Sequence, residues 1–262
     1  ETIAKAIDFF KYHNKDDSLR AIGIGTFGPV NLKEQSDFFG CISTTPKLDW
    51  ENTNMLAPFQ DSFKVPVSIE TDVNIAALGE YTWGNAKNLN NFIYLTIGTG
   101  IGGAGIINGS FLKGDEHPEM GHIFLPKIKG DDFEGGCPYH KDRCFEGLVS
   151  GTSIGLRCGL QASKIQESAQ IWELVAEYIS FALVNYIYIA APQKIIIGGG
   201  VMTQKHLYSR IRINVLKHLN GYNHSNISQQ SVEDYICPPS LGENSGILGG
   251  FSLAKAAYLA HS

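Results

Sequence analysis

The sequence predicts an α/β protein. Strand-like apolar runs alternate with segments of helical period along the chain, which is the pattern of layered sheets and helices. The 29 glycines in 262 residues exceed the ~7% that is usual, and many stand where apolar runs end. A composition of 43% apolar and 18% charged residues is globular, and a chain of this length can bury a sizeable core in one large domain or two modest ones.

The elements follow in order. Residues 2–12 place Ile3, Ile7 and Phe10 at helical spacing, and a polar stretch at 13–18 ends that helix. Residues 19–24 read as a buried strand entering the turn Gly25-Thr26-Phe27-Gly28-Pro29, and 65–69 as another strand. A helix is expected over 74–83, then a strand over 92–97, the glycine-rich turn 98–103 and a second strand to Ile107. Asn108-Gly109 is a hairpin turn leading to a short strand at 110–112. A long core helix is expected over 166–190, with Ile171, Leu174, Val175, Tyr178, Ile179, Ala182 and Tyr186 along one side. The strand 194–197 opens into Gly198-Gly199-Gly200 and a helix over 203–219. A polar surface segment at 220–233 and an Ala-rich helix over 245–259 complete the chain.

Charge and hydropathy narrow the function classes. Twenty-one Lys and Arg against 26 Asp and Glu give a net charge of −5, and no basic stretch suits a nucleic acid. The longest apolar run, around 181–192, falls short of the ~20 residues of a membrane span. Residues 1–5 do not read as a secretory signal, and five cysteines are an odd number, so reduced thiols in a cytoplasmic protein are expected.

Several segments carry chemistry. The turn Gly98-Thr99-Gly100 joins two strands, so it is a poor dinucleotide fingerprint, and no Gly-Lys-Ser/Thr follows for a Walker loop. It can instead present backbone N–H groups and the Thr99 hydroxyl to phosphate, or be an ordinary tight hairpin. Gly199 and Gly200 offer a second place for close ligand approach, with simple strand–helix packing as the plainer alternative. Asp72 stands where an apolar strand gives way to a helix, as a catalytic acid or base or only as a helix N-cap. Cys137, His140 and Cys144 form CxxHxxxC, which can bring three ligands onto a tetrahedral zinc, and His122 could complete four. Free thiols or a Cys137–Cys144 disulfide are the alternatives. Cys41, Cys158 and Cys237 are isolated and assigned to packing.

Taken together, LTIGTGIGGAG at 95–105, ETDVNIAALGEYTWG at 70–84, EMGH at 119–122, CPYHKDRCFEGLVSG at 137–151 and IIIGGGV at 195–201 resemble the ROK sugar kinases. TFGPV at 26–30 and TTPKLDW at 44–50 resemble their fructokinase branch. The resemblance implies an actin-like ATPase (ribonuclease H-like) fold of two α/β domains with a cleft between them. The small domain is expected over 1–90, with the helix 247–262 packing back on it, and the large domain, with its metal loop, over 91–246.

By the same resemblance Asp72 is the catalytic base. Asn74, Gly28, Glu119, His122 and Glu146 line the hexose, and Gly98, Thr99, Gly100, Gly199 and Gly200 take ATP. His122, Cys137, His140 and Cys144 bind a structural zinc; one imidazole nitrogen of His122 serves the metal and the other the sugar. The implied reaction is ATP- and Mg²⁺-dependent phosphorylation of a hexose, fructose favoured, by a homodimer. A glucose or mannose kinase, a sugar-sensing repressor and a sugar-binding pseudokinase are the rival readings. Relatives begin with a three-stranded meander carrying a DxGGTK-like phosphate motif that would lie ahead of Glu1, so the catalytic expectation attaches to the whole protein.

Overall fold

The computed structural model describes residues 1–16, 18–222, 227 and 231–261. In chain order it begins with α1 (Thr2–His13), β1 (Ile22–Thr26), α2 (Ala57–Ser62), β2 (Val67–Thr71) and α3 (Asp72–Trp83). The meander β3 (Phe92–Ile97), β4 (Ile101–Ile107) and β5 (Ser110–Phe111) follows, then the short helices α4 (Phe145–Val149) and α5 (Gly151–Cys158). Next come α6 (Ile171–Ala190), β6 (Lys194–Gly198), α7 (His206–Leu219), α8 (Val232–Tyr235), β7 (Ile236–Cys237) and α9 (Ser245–Ala260). Contacts divide the chain into two compact units: Glu1–Lys87 with Lys113–His117 and Glu243–Ser262, and Asn88–Leu112 with Pro118–Gly242.

In the first unit β1 and β2 pair in parallel, from Ile22 against Val67 to Thr26 against Thr71. Both strands lie two to three residues later than their apolar runs suggest. Hydrophobicity marks burial, whereas the β-branched Thr26 and Thr71 extend the ladder without adding to the apolar signal. Helix α9 packs on α3 and β1. A Cβ on Gly249 would lie 1.6 Å from the Ile75 carbonyl oxygen, and one on Gly79 2.2 Å from that of Ser245. The two backbones therefore approach more closely than any side chain allows. Glu80, fully buried in α3, accepts from the Ser245 hydroxyl at 2.9 Å and the Asn85 N–H at 2.8 Å.

The second unit is built on a five-stranded sheet of order β5-β4-β3-β6-β7. β3 pairs antiparallel with β4 and parallel with β6, and β6 parallel with β7. Asn108 and Gly109 both have positive φ, as the expected hairpin turn requires. Helices α6 and α7 cover the sheet, with Trp172, Tyr178, Ile179 and Leu183 fully buried. α6 starts at Ile171, later than 166, and α7 at His206, because a 3₁₀ turn over Gly200–Thr203 comes first. Along its 20 residues α6 is apolar enough to meet the length and composition of a membrane span, which the shorter run at 181–192 did not suggest; half of that window is buried in the unit's core. Half of the expected polar segment at 220–233, residues 223–226 and 228–230, lies outside the described residues.

One buried charge cluster stabilises this unit. Asp131 takes a two-pronged salt bridge from Arg157 of α5 and a hydrogen bond from the Tyr178 hydroxyl of α6 at 2.6 Å. The carboxylate and guanidinium side chains are only 4% and 8% exposed. Burial alone would raise the Asp131 pKa, but Arg157 and Tyr178 outweigh it and hold it down at about 2. The ionised form is thus favoured in the folded state, and its contribution is complete above the ordinary aspartate pKa and lost as pH falls towards 2. Arg157→Ala leaves the carboxylate buried without its countercharge and is expected to cost about 3–5 kcal/mol at neutral pH. Urea denaturation as a function of pH checks this, with the deficit shrinking as pH falls towards 2, because the unpaired carboxylate of the variant takes up its proton at higher pH than the parent's.

Candidate functional site

Parallel pairing brings the C-terminal ends of β1 and β2 together, with Thr26 opposite Thr71. The chain leaves β1 through Phe27-Gly28-Pro29 and leaves β2 into Asp72, the first residue of α3. Thr71 is the helix cap, its hydroxyl accepting from Asn74 N–H at 3.1 Å, so the Asp72 carboxylate is not consumed in that role. It reaches solvent, yet the protein around it strips enough water to raise its pKa above the usual aspartate value. The Val73 N–H at 2.8 Å, Lys47 and His117 pull the pKa partly back.

Asn74, expected at the sugar, has its side chain turned inward. It is 3% exposed, and its amide donates to Glu70 Oε2 at 2.7 Å, so it braces the start of α3 from within. Residues not singled out from the sequence also gather here. Buried Glu70 accepts from Asn74, from the Thr71 N–H and from Lys113. Lys47 of TTPKLDW lies 3.5 Å over the ring of Phe27 of TFGPV, whose other neighbour is Trp50. The two branch-like segments therefore meet beside Asp72. His117 covers Gly28 and accepts from Val30 N–H at 3.3 Å.

In the second unit the parallel pair β3/β6 sets the two glycine segments side by side. A Cβ on Gly98 would have Gly200 N as its nearest neighbour at 3.9 Å. Gly199 has φ +95°, and a side chain there would strike the Ile97 backbone at 2.5 Å, whereas the same position on Gly200 faces open space. The Gly98 N–H is used inside its own turn, donating to Gly100 O at 2.9 Å. The turn's carbonyls are tied to the start of α5: Gly98 O accepts from Gly151 N, and Thr99 O from the Thr152 hydroxyl. Thr99 itself stands exposed at the tip. Ligand ends of parallel strands such as these are where open α/β sheets bind.

The four candidate metal ligands converge. The donor atoms of His122, Cys137, His140 and Cys144 all lie within 4.8 Å of one another. His122 Nδ1 is 3.9 Å from Cys137 Sγ and 3.6 Å from Cys144 Sγ, and His140 Nδ1 is 3.8 Å from Cys137 Sγ. A tetrahedral ion with ordinary metal–sulfur and metal–nitrogen bonds needs sulfur–nitrogen separations of about 3.6 Å, and these three lie near it, so the set is compatible with one. Both cysteines are free thiols, not a disulfide, and their sulfurs accept backbone N–H groups, Cys137 from His140 and Cys144 from Gly147. Burial pushes the Cys144 thiol up to about 12, against the Gly147 N–H that pulls it down, so a cation is what would favour the thiolate.

The same histidine has a second face. With Nδ1 among the metal donors, His122 Nε2 points at Glu146 Oε1, 4.0 Å away. Glu146 Oε2 accepts from Ile101 N–H at 2.8 Å and lies against Gly100, linking the first turn of α4 to the glycine turn. Glu119 is exposed, and its carbonyl accepts from His122 N–H at 3.0 Å. Of the residues singled out from the sequence, Asp72, Asn74 and Gly28 belong to the first unit and the others to the second.

Fold and site define a two-unit α/β protein with a carboxylate at parallel-strand ends and a sulfur–nitrogen metal set. The model of the ROK family matches residues 1–257, and the chain belongs to that family. A fructokinase of Pediococcus pentosaceus is 42% identical over 257 residues, covering 98% of this chain and 86% of its own. A fructokinase of Streptococcus mutans is 39% identical over 259 residues, covering 97% and 85%. The crystal structure of a ROK hexokinase from Thermus thermophilus superposes with a TM-score of 0.78 at 21% identity, covering 98% of this chain and 87% of the other. That likeness is one of fold, the actin-like ATPase architecture of ROK sugar kinases.

Proposed function

We propose that this protein is an ATP-dependent hexose kinase with fructose as its favoured substrate. The observation that carries the reading is the Asp72 carboxylate: it is solvent-reaching, at the end of a parallel strand, and spared the capping role by Thr71. The relatives named fructokinase, at 39% and 42% identity over nearly the whole chain, favour fructose among hexoses. The two segments of fructokinase-branch type, meeting at Phe27, Lys47 and Trp50 beside Asp72, point the same way.

A sugar hydroxyl is too weak an acid to attack unaided. Asp72 accepts its proton while the oxygen forms a bond to the γ-phosphorus and the bond to ADP breaks. Thr99 and the glycine segments at 98–100 and 199–200 take the phosphates of ATP, which arrives as its Mg²⁺ complex. Glu119, Glu146 and the Nε2 side of His122 hold the sugar hydroxyls. His122, Cys137, His140 and Cys144 would hold a zinc, which would supply a structural clamp rather than a reactive water, since all four donors are protein side chains. His122 would then owe its tautomer and ring orientation to the metal, with Nε2–H available as a donor.

Asp72→Asn is expected to lower kcat on the order of 10²- to 10⁴-fold in a coupled ADP-release assay, with fructose KM little changed. Turnover in that variant equal to the parent's would remove Asp72 from the mechanism. In the parent, kcat/KM should fall as acid protonates the base, and the midpoint of that limb should lie above the ordinary aspartate pKa because burial raises it. Elemental analysis is expected to find about one zinc per chain, absent from Cys144→Ser. Removal of the ion by a chelator should raise fructose KM more than ATP KM, because the ion orients His122.

A further inference from the structure

The segment Lys113–His117 is preceded and followed in the chain by residues of the second unit, yet its contacts place it in the first. Three of its four side chains grip that unit. Lys113 pairs with the buried Glu70; Asp115 pairs with Lys33 at 2.7 Å; and His117 packs 3.1 Å from the Cβ position of Gly28 while accepting from Val30 N–H. Glu70 in turn holds the Thr71 N–H and the Asn74 amide, the residues on either side of Asp72. The strap thus braces both chain segments that leave the β1/β2 pair, one through Glu70 and one through the Gly28 turn.

We propose that Lys113 and His117 are positioning residues for Asp72, fixing the start of α3 and the turn facing it without touching the substrate. The inference rests on Asp72 being the base. A carboxylate misplaced by a fraction of an ångström still binds nucleotide at the other unit's glycine segments, but it accepts the proton poorly. The loss should therefore appear in kcat.

Steady-state kinetics of the full chain with fructose test this. Lys113→Met is expected to lower kcat by about 10- to 100-fold with ATP KM unchanged, and Lys113→Arg to restore most of it. Lys113→Met and Glu70→Gln should be non-additive, since both act through one carboxylate. His117→Ala should lower kcat in the same way, and His117→Gln, whose side-chain oxygen can accept from Val30 N–H, should recover it. Parental kcat in Lys113→Met and His117→Ala, additive losses, or losses that Arg and Gln do not repair would overturn the proposal. Should Lys113→Met fail to fold, the His117 pair decides alone. Asp72→Asn separates the two ideas: if it is inactive while the strap variants are fully active, only the strap fails; if it is active, the base assignment fails.

Discussion

Strand register is the constraint on which the rest depends. Each unit contains parallel strands, and parallel strands deliver their C-terminal ends to the same edge of the sheet. Pairing of Thr26 with Thr71 sets the Gly28 turn beside Asp72, and pairing of Thr96 with Gly198 sets the Gly98 turn beside Gly200. A slip of one residue in either ladder would turn every side chain to the opposite face and separate these turns. The apolar side chains of Ile22, Ile93, Leu95, Ile195 and Ile197 hold the register because each is buried.

Much of the convergence of the four candidate ligands was legible because it is local. Three of the donors fall within eight residues, and a short loop cannot keep them far apart. His122 needed a weaker inference, yet the 3₁₀ turn over Met120–His122 presents its ring to the same point. The glycine turns were legible as turns, but their adjacency was not, since it arises from pairing between residues about a hundred positions apart. The inward direction of the Asn74 side chain was not legible, because a motif shows which residue types travel together and not which way each side chain faces. On a helix it lies two residues past Asp72 and so on another face, against Glu70. The grip of Lys113 on Glu70 spans 43 positions and leaves no periodicity or spacing to read.

Close backbone contact recurs where side chains are dispensed with. α9 meets α3 at Gly249 and Gly79, and Gly199 turns against Ile97. The first contact builds a scaffold and the second builds an opening, although the residue type is the same. What separates them is the neighbourhood: Gly249 faces protein on all sides available to a Cβ, while the residue after Gly199 faces nothing within 4 Å. Glycine count alone therefore could not distinguish a packing seam from a ligand face.

The discontinuous first unit has a consequence for how the molecule is made. Its strands β1 and β2 and helix α3 leave the ribosome before the second unit, but α9, the helix that seals them, is made only after it. The second unit is complete before that and can settle on its own during synthesis. Until α9 emerges, the face of α3 around Ile75 and Gly79 waits uncovered, so a nascent chain presents it to chaperones while the whole second unit is being made.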